Sequence, residues 1–278
     1  MLPGVELTPT LATTSLGTKV GTQLPDGNYG IVPFGNDSYF ITSGQSDYNS
    51  AQVNYRHTSG RLQLLLGYTY SKSIDNASGY GEQINPINSK LSRGLSAFDS
   101  THNFVVSYNY ELPFDKWTHA NKLTQGWALS GITRFETGLP VTMVETDDHS
   151  LLGTAFGGPI TLAVDTPQQV APVHILNPRS NPSHYYFDPT SFTSSAIGSE
   201  GNARRRFFHG PGSNNWDMAL VKKTTLRENM NLEFRAEFFN LFNHAQFITP
   251  SGILTTSFGQ VTQAQPPRVG QLSLKLNF

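Results

Sequence analysis

The sequence predicts an all-β fold, an antiparallel meander whose strands cross a membrane, and three observations predict it. The first is the final stretch, Arg268 to Phe278. Leu272, Leu274, Leu276 and Phe278 fall on one face of a period-2 strand, and Gln271, Ser273, Lys275 and Asn277 on the other. One face suits hydrocarbon and the other suits water. The second is composition: 14% of the 278 residues are charged, against about a quarter in ordinary globular domains, yet mean hydropathy is -0.32. The polarity comes from uncharged Asn, Ser, Thr, Gln and Gly, beside 12% aromatic residues of the kind that strands and membrane-interface girdles use. No apolar run approaches the ~18 residues of a spanning helix, so a membrane would be crossed by strands. The third is an alternation of short and long connections between strand-like stretches, taken in order below.

Residues 1–46, rich in Thr, Gly, Pro and Asn and without a sustained period, read as loop or as the remnant of a preceding element, with room for a short strand near 39–42. Strands follow at 47–57 and 60–72, where Ala51, Val53 and Tyr55 and then Leu62, Leu64, Leu66, Tyr68 and Tyr70 alternate with polar residues. Thr58-Ser59-Gly60 makes the tight turn between them. A polar loop at 73–98 leads to a strand at 100–112, built on Phe104, Val106, Tyr108 and Tyr110. An intermediate connection leads to a strand at 125–138, built on Trp127, Leu129, Thr133 and Phe135. The segment 139–212 is long, rich in Pro and Gly, and almost aperiodic. Strands at 213–224 and 229–242 carry Trp216, Met218 and Leu220, then Leu232, Phe234, Ala236 and Phe238; the loop 243–267 precedes the closing strand at 268–278. Short and intermediate connections all fall at the end that holds the C-terminus, the asymmetry of short periplasmic turns and long extracellular loops. The expected architecture is therefore an open, partial segment of a large outer-membrane β-barrel occupying 47–278, with a periplasmic C-terminus.

Charge placement supports that reading. Arg56, Arg61, Glu111, Arg134, Glu136, Glu233, Arg235 and Glu237 fall on the polar face and are the candidates to face a water-filled lumen. A basic residue facing lipid at mid-membrane costs about 2–4 kcal/mol, and the apolar face carries no charge at strand centres. Lys72 and Lys222 lie at strand ends, where they can snorkel. Glu233, Arg235 and Glu237 read as a mutually neutralising wall or as a ligand-guiding ladder. The alternative to a barrel is a β-rich surface adhesin or a soluble β-sandwich with one buried face.

Several motifs resemble a known family. Gly67-Tyr-Thr-Tyr-Ser-Lys-Ser-Ile-Asp75, Gly126-Trp-Ala-Leu-Ser-Gly-Ile132 with Thr137-Gly-Leu-Pro140, and Phe187-Asp-Pro-Thr-Ser-Phe192 look like TonB-dependent outer-membrane receptors of the Oar-like kind. So do Gly210-Pro-Gly212 with Asp217, Phe234-Arg-Ala-Glu-Phe-Phe-Asn-Leu-Phe-Asn-His244, Phe258-Gly259 and the terminal Leu-Asn-Phe. Gly270, Leu272, Leu274, Leu276 and Phe278 resemble the C-terminal signal read by the barrel-assembly machinery. The resemblance covers about residues 45–278 and implies the end of a 22-stranded barrel. It also implies a plug domain inside the barrel and import of a bulky ligand driven through TonB. Plug, TonB-interacting segment and the other strands are not recognised here, so the expectation is a fragment or truncated product whose partners are outer-membrane lipid, the assembly machinery, and a missing N-terminal barrel and plug.

Enzyme chemistry finds little support, and no cofactor is expected. The eight histidines are scattered without metal-site spacing, and phosphate-loop, dinucleotide and nucleophile-elbow fingerprints do not occur. Asp147-Asp148-His149 could bind a cation, and reads more simply as a solvated loop. Arg204-Arg205-Arg206 could form an anion or nucleic-acid patch, and reads more simply as a basic stretch of external loop. A net charge of -1 gives no reason to invoke nucleic acid. The lack of cysteine fits passage through an oxidising compartment.

Overall fold

A computed structural model describes residues 42–79, 82, 85, 88–117, 120–147, 149–150 and 165–278. Its strands are β1 (Ser46–Ser59), β2 (Leu62–Asp75), β3 (Gly94–Leu95), β4 (His102–Glu111), β5 (Trp127–Glu136), β6 (Gln168–Gln169), β7 (Phe192–Thr193), β8 (Ser213–Arg227), β9 (Met230–Phe239) and β10 (Val269–Asn277). Seven long strands form one antiparallel meander in the order β1-β2-β4-β5-β8-β9-β10, with β3 added to the end of β2 and β6 paired to β7 apart from it. No described strand pairs with the outer edge of β1 or of β10, so the sheet is open, a partial barrel. Among the described residues no helix is long and apolar enough to cross a membrane. The short strand expected near 39–42 falls outside the described residues except for Thr42, which is a bend.

Most strand ends lie within three residues of the expectation, β8 running to Arg227 rather than 224, and two of the differences have a clear local reason. The strand expected to reach 242 stops at Phe239, because Asn240 and Asn243 adopt left-handed backbone (φ 50 and 53), a region that Asn tolerates better than most residues. Asn240 then holds the bend: its Nδ2 donates to the His244 carbonyl at 2.9 Å, and its Oδ1 accepts from the His244 N–H at 3.0 Å. In contrast, β2 runs three residues past the expected 72, to Asp75. Its polar end is held by the connection that follows, where the Ser71 hydroxyl donates to the Ser100 carbonyl at 2.8 Å and the Ser73 N–H to the Asp99 carboxylate at 2.5 Å.

The register fixes which residues share a face, since directly opposed residues of an antiparallel pair point the same way. One row reads Leu62, Tyr110, Leu129, Leu220, Ala236, Leu272 across β2, β4, β5, β8, β9 and β10. The next reads Gln63, Asn109, Ser130, Ala219, Glu237, Gln271. Apolar and polar rows alternate in this way along the sheet. On the apolar face Gly131 lies beneath Tyr108: a Cβ there would sit 2.7 Å from the Tyr108 hydroxyl and 2.6 Å from the Asp217 carbonyl. Gly270 lies likewise beneath the Phe238 ring, 3.0 Å from a Cβ position. Each glycine lets an aromatic ring from the neighbouring strand lie flat on the sheet.

The long connections all leave from one end of the sheet, and there they fold onto one another. The described residues of the segments expected as long extracellular loops at 73–98, 139–212 and 243–267 build a packed cap with its own core of Val141, Met143, Phe187, Phe192, Ala203 and Phe258. The rings of Phe192, Phe208 and Phe258 meet Phe187 edge-on at centroid distances of 6.0, 5.4 and 5.1 Å, the arrangement that aromatic quadrupoles favour. Two glycine motifs cross within this cap. A Cβ on Gly138 would lie 2.3 Å from the Pro211 carbonyl, and one on Gly212 would lie 2.6 Å from that of Glu136. The basic stretch also departs from the expectation, because Arg205 and Arg206 are buried while Arg204 is exposed. Arg205 pairs with Asp75 and Glu82, and Arg206 with Glu82; the Arg206 Nε also donates to the Thr142 hydroxyl at 2.7 Å.

Phe187 is the fully buried centre of the cap. Phe187→Ala is expected to cost the cap about 3–5 kcal/mol, seen as new protease cleavage within 139–212 while the sheet stays protected. Unchanged cleavage would show that the cap does not depend on this core.

Candidate functional site

The polar face curls round a cavity of about 700 Å³. Strands β1, β2, β4, β5, β8 and β9 supply its wall, with Arg56 of β1 on one side and Arg235 and Glu237 of β9 on the other. Between them lie Ser107, Ser130 and Asp217. Arg235 donates to Glu237 at 2.6 Å; Glu237 also accepts from the Gln271 amide. Lys223 stands 3.5 Å from Glu233, its direct cross-strand neighbour. Opposite charges thus neutralise one another on the wall of β8, β9 and β10. Asp217 is occupied structurally, accepting the Asn240 N–H at 2.8 Å where β9 ends.

The remaining charged candidates are dispersed. Arg134 and Glu136 sit at the cap end of β5, opposite Asn215 and Ser213 respectively, and Glu111 is exposed at the far end of β4. Arg61, expected within a strand, belongs to the turn before β2, where its guanidinium grips Asp115 through two hydrogen bonds of 2.8 Å. Asp115 stands in the helical turn Phe114–Trp117 that follows β4, so this fork ties two adjacent connections together at the end opposite the cap. Sequence reasoning passed over Leu65, Val105 and Ile132 on the polar face, although strict alternation from Leu64, Phe104 and Gly131 places them there. Leu65 and Ile132 line the cavity.

On the opposite face the last strand leaves its side chains uncovered. Leu272, Leu274, Leu276 and Phe278 are 72%, 68%, 47% and 95% exposed, and Gly270 continues the row under Phe238. A soluble sandwich would bury such a face. A family model described as an outer membrane beta barrel domain matches residues 5–271. The chain belongs to that family. No curated protein and no solved structure matches the chain. Membership places this barrel domain in the outer membrane.

The cation site considered at Asp147-Asp148-His149 falls partly outside the described residues. Asp148 lies outside the described residues, and the His149 Nδ1 stands 3.1 Å from the buried Glu145 carboxylate. Among the described residues no group of three His, Asp or Glu side chains is placed to hold a metal.

The fork between Arg61 and Asp115 makes a pH prediction outside the membrane-spanning strands. The hydrogen bond from Arg61 holds Asp115 below its ordinary value of 3.8, so the stabilisation is complete above that value and is lost as pH falls through the lowered one. Amide exchange at Glu111, whose N–H donates to the Arg61 carbonyl at 2.9 Å, is expected to accelerate below about pH 4. Asp115→Asn should abolish that step; a step that persists in the variant would assign it elsewhere.

Proposed function

We propose that this barrel domain is the C-terminal wall of a TonB-dependent outer-membrane receptor of the Oar-like kind, which takes up a bulky ligand with energy passed from the inner membrane. The observation that carries the proposal is where the resembling motifs meet. The Ser71–Asp75 end of the first motif binds Asp99, Ser100 and Arg205. Thr137-Gly-Leu-Pro140 crosses Gly210-Pro-Gly212, with the Gly210 N–H on the Leu139 carbonyl at 2.8 Å. Phe187, Phe192 and Phe258 form the cap core, and Asn240 and Asn243 turn the chain from β9 into it. Motifs spread over some two hundred residues of sequence thus serve one cap over one end of the sheet.

In this reading the polar face is the lumen wall, lined by Arg56, Arg235 and Glu237, with Arg134 and Glu136 nearer the entrance. The cap is extracellular and the C-terminus periplasmic, on the side of the short turns. The unpaired edges of β1 and β10 receive the strands of the remaining barrel, the plug fills the enclosure, and TonB acts through the plug. Gly270, Leu272, Leu274, Leu276 and Phe278 present the signal that the assembly machinery reads.

Two experiments test this. A photo-crosslinking residue in place of Gln63, on the polar face, is expected to capture a plug polypeptide in native outer membranes and to do so in a TonB-responsive manner. A lumen that captures no polypeptide and conducts ions constantly would identify an open porin instead. Phe278→Asp is expected to reduce the folded, heat-modifiable species severalfold while each assembled molecule binds ligand normally; full assembly of the variant would remove the signal role.

A further inference from the structure

We propose that the cap end of the polar face holds a subsite for a neutral carbohydrate. A second cavity, of about 320 Å³, lies where β1, β2 and β4 approach the cap. That volume falls in the range of small-ligand sites, about 300–1,000 Å³. Its floor is a cross-strand row of Gln52, Thr69 and Asn103. Ser71, Ser73 and Ser100 continue it towards the cap. Gln52, Thr69 and Asn103 offer amides and a hydroxyl, which both donate and accept, and so match the hydroxyl groups of a sugar ring, while the Ser71 and Ser73 hydroxyls are taken by the Ser100 carbonyl and the Ser96 hydroxyl.

The rim supplies the other half of the recognition. Tyr48 and Phe98 line the same cavity and are 59% and 64% exposed. Tyr48 is opposed to Ser73 and therefore shares the polar face. Two open aromatic rings on a wall of amides and hydroxyls give flat platforms on which the C–H faces of a pyranose can stack while its hydroxyls meet the floor.

Charge decides what kind of hydroxyl-bearing ligand fits. Among the described residues no Lys or Arg lines the cavity, so none of them would hold a phosphate, sulphate or carboxylate there. Its carboxylate, Asp99, is 2% exposed and is spent on the Ser73 N–H at 2.5 Å and the His209 Nε2 at 2.8 Å. The site therefore favours neutral sugars, in contrast to the charged cavity deeper along the wall. This names a substrate class for the uptake reading and rests on that reading for transport alone; binding itself is measured without transport.

The test uses the receptor purified in detergent and an array of neutral glucose, galactose, mannose and xylose oligosaccharides beside sulphated counterparts. Binding to at least one neutral glycan is expected, with no gain on sulphation. Phe98→Ala and Tyr48→Ala should each weaken it at least about tenfold, and Phe98→Tyr should restore it. Both side chains are exposed, so heat-modifiable migration should be unchanged, and either variant suffices if the other fails to assemble. Absence of neutral-glycan binding, affinity unaltered by both alanine variants, or preference for sulphated glycans would overturn the subsite. Retained binding with TonB-independent uptake would instead overturn the receptor reading and leave the subsite standing.

Discussion

A strand laid in hydrocarbon has no water to satisfy its N–H and C=O groups, so each must be paired with a neighbouring strand, and every unpaired group costs several kcal/mol. This requirement explains why the seven long strands form a continuous meander, each bonded to the next in sequence. It also disfavours register slips, because a slip of one residue would send Arg235 to the apolar face and Phe234 to the polar cavity. The same requirement bears on the two edges. β1 and β10 have paired inner sides and open outer sides among the described residues.

At the end of the sheet the balance of forces changes. The cap buries apolar surface of its own, with the Phe187 cluster as its core. Ion pairs then serve as connectors. Arg205, at 8% exposure, reaches Asp75 at the end of β2 and so joins the cap to the sheet. Buried charges of this kind contribute little net stability, but removing one partner strands the other at a cost of about 3–5 kcal/mol. The sheet's polar end and the cap are thereby coupled, and both cavities lie on the face over which the chain curls.

The strands were legible in the sequence because an apolar face and a polar face write a period of two into each of them. Leu62 to Tyr70 and Leu272 to Phe278 are unambiguous for that reason. The end of β9 was not, since Phe238-Phe-Asn-Leu-Phe242 continues to look strand-like until the left-handed Asn240 is seen. The cap was illegible because its contacts obey no local period: Arg205 meets Asp75 across 130 residues, and Gly138 meets Pro211 through backbone alone. Site residues divide in the same way. Arg235 and Glu237 pair within one strand and could be read from spacing of two, whereas Arg61 finds Asp115 54 residues away in a connection without periodic signal. Leu65, Val105 and Ile132 show the opposite error, where attention to charges hid apolar members of a polar face.

The central claim is that one face of this sheet meets lipid and the other meets water. The sequence contains no cysteine, so single cysteines carrying nitroxide labels can be placed at each residue of β9 and β10 in the assembled, membrane-embedded protein. Collision with oxygen, which partitions into lipid, should peak at Leu232, Phe234, Ala236, Leu272, Leu274 and Leu276. Collision with a water-soluble nickel complex should peak at Glu233, Arg235, Glu237, Gln271, Ser273 and Lys275, so that the two profiles alternate out of phase with period two. Profiles that rise and fall together, or that show the opposite phase, would contradict the account.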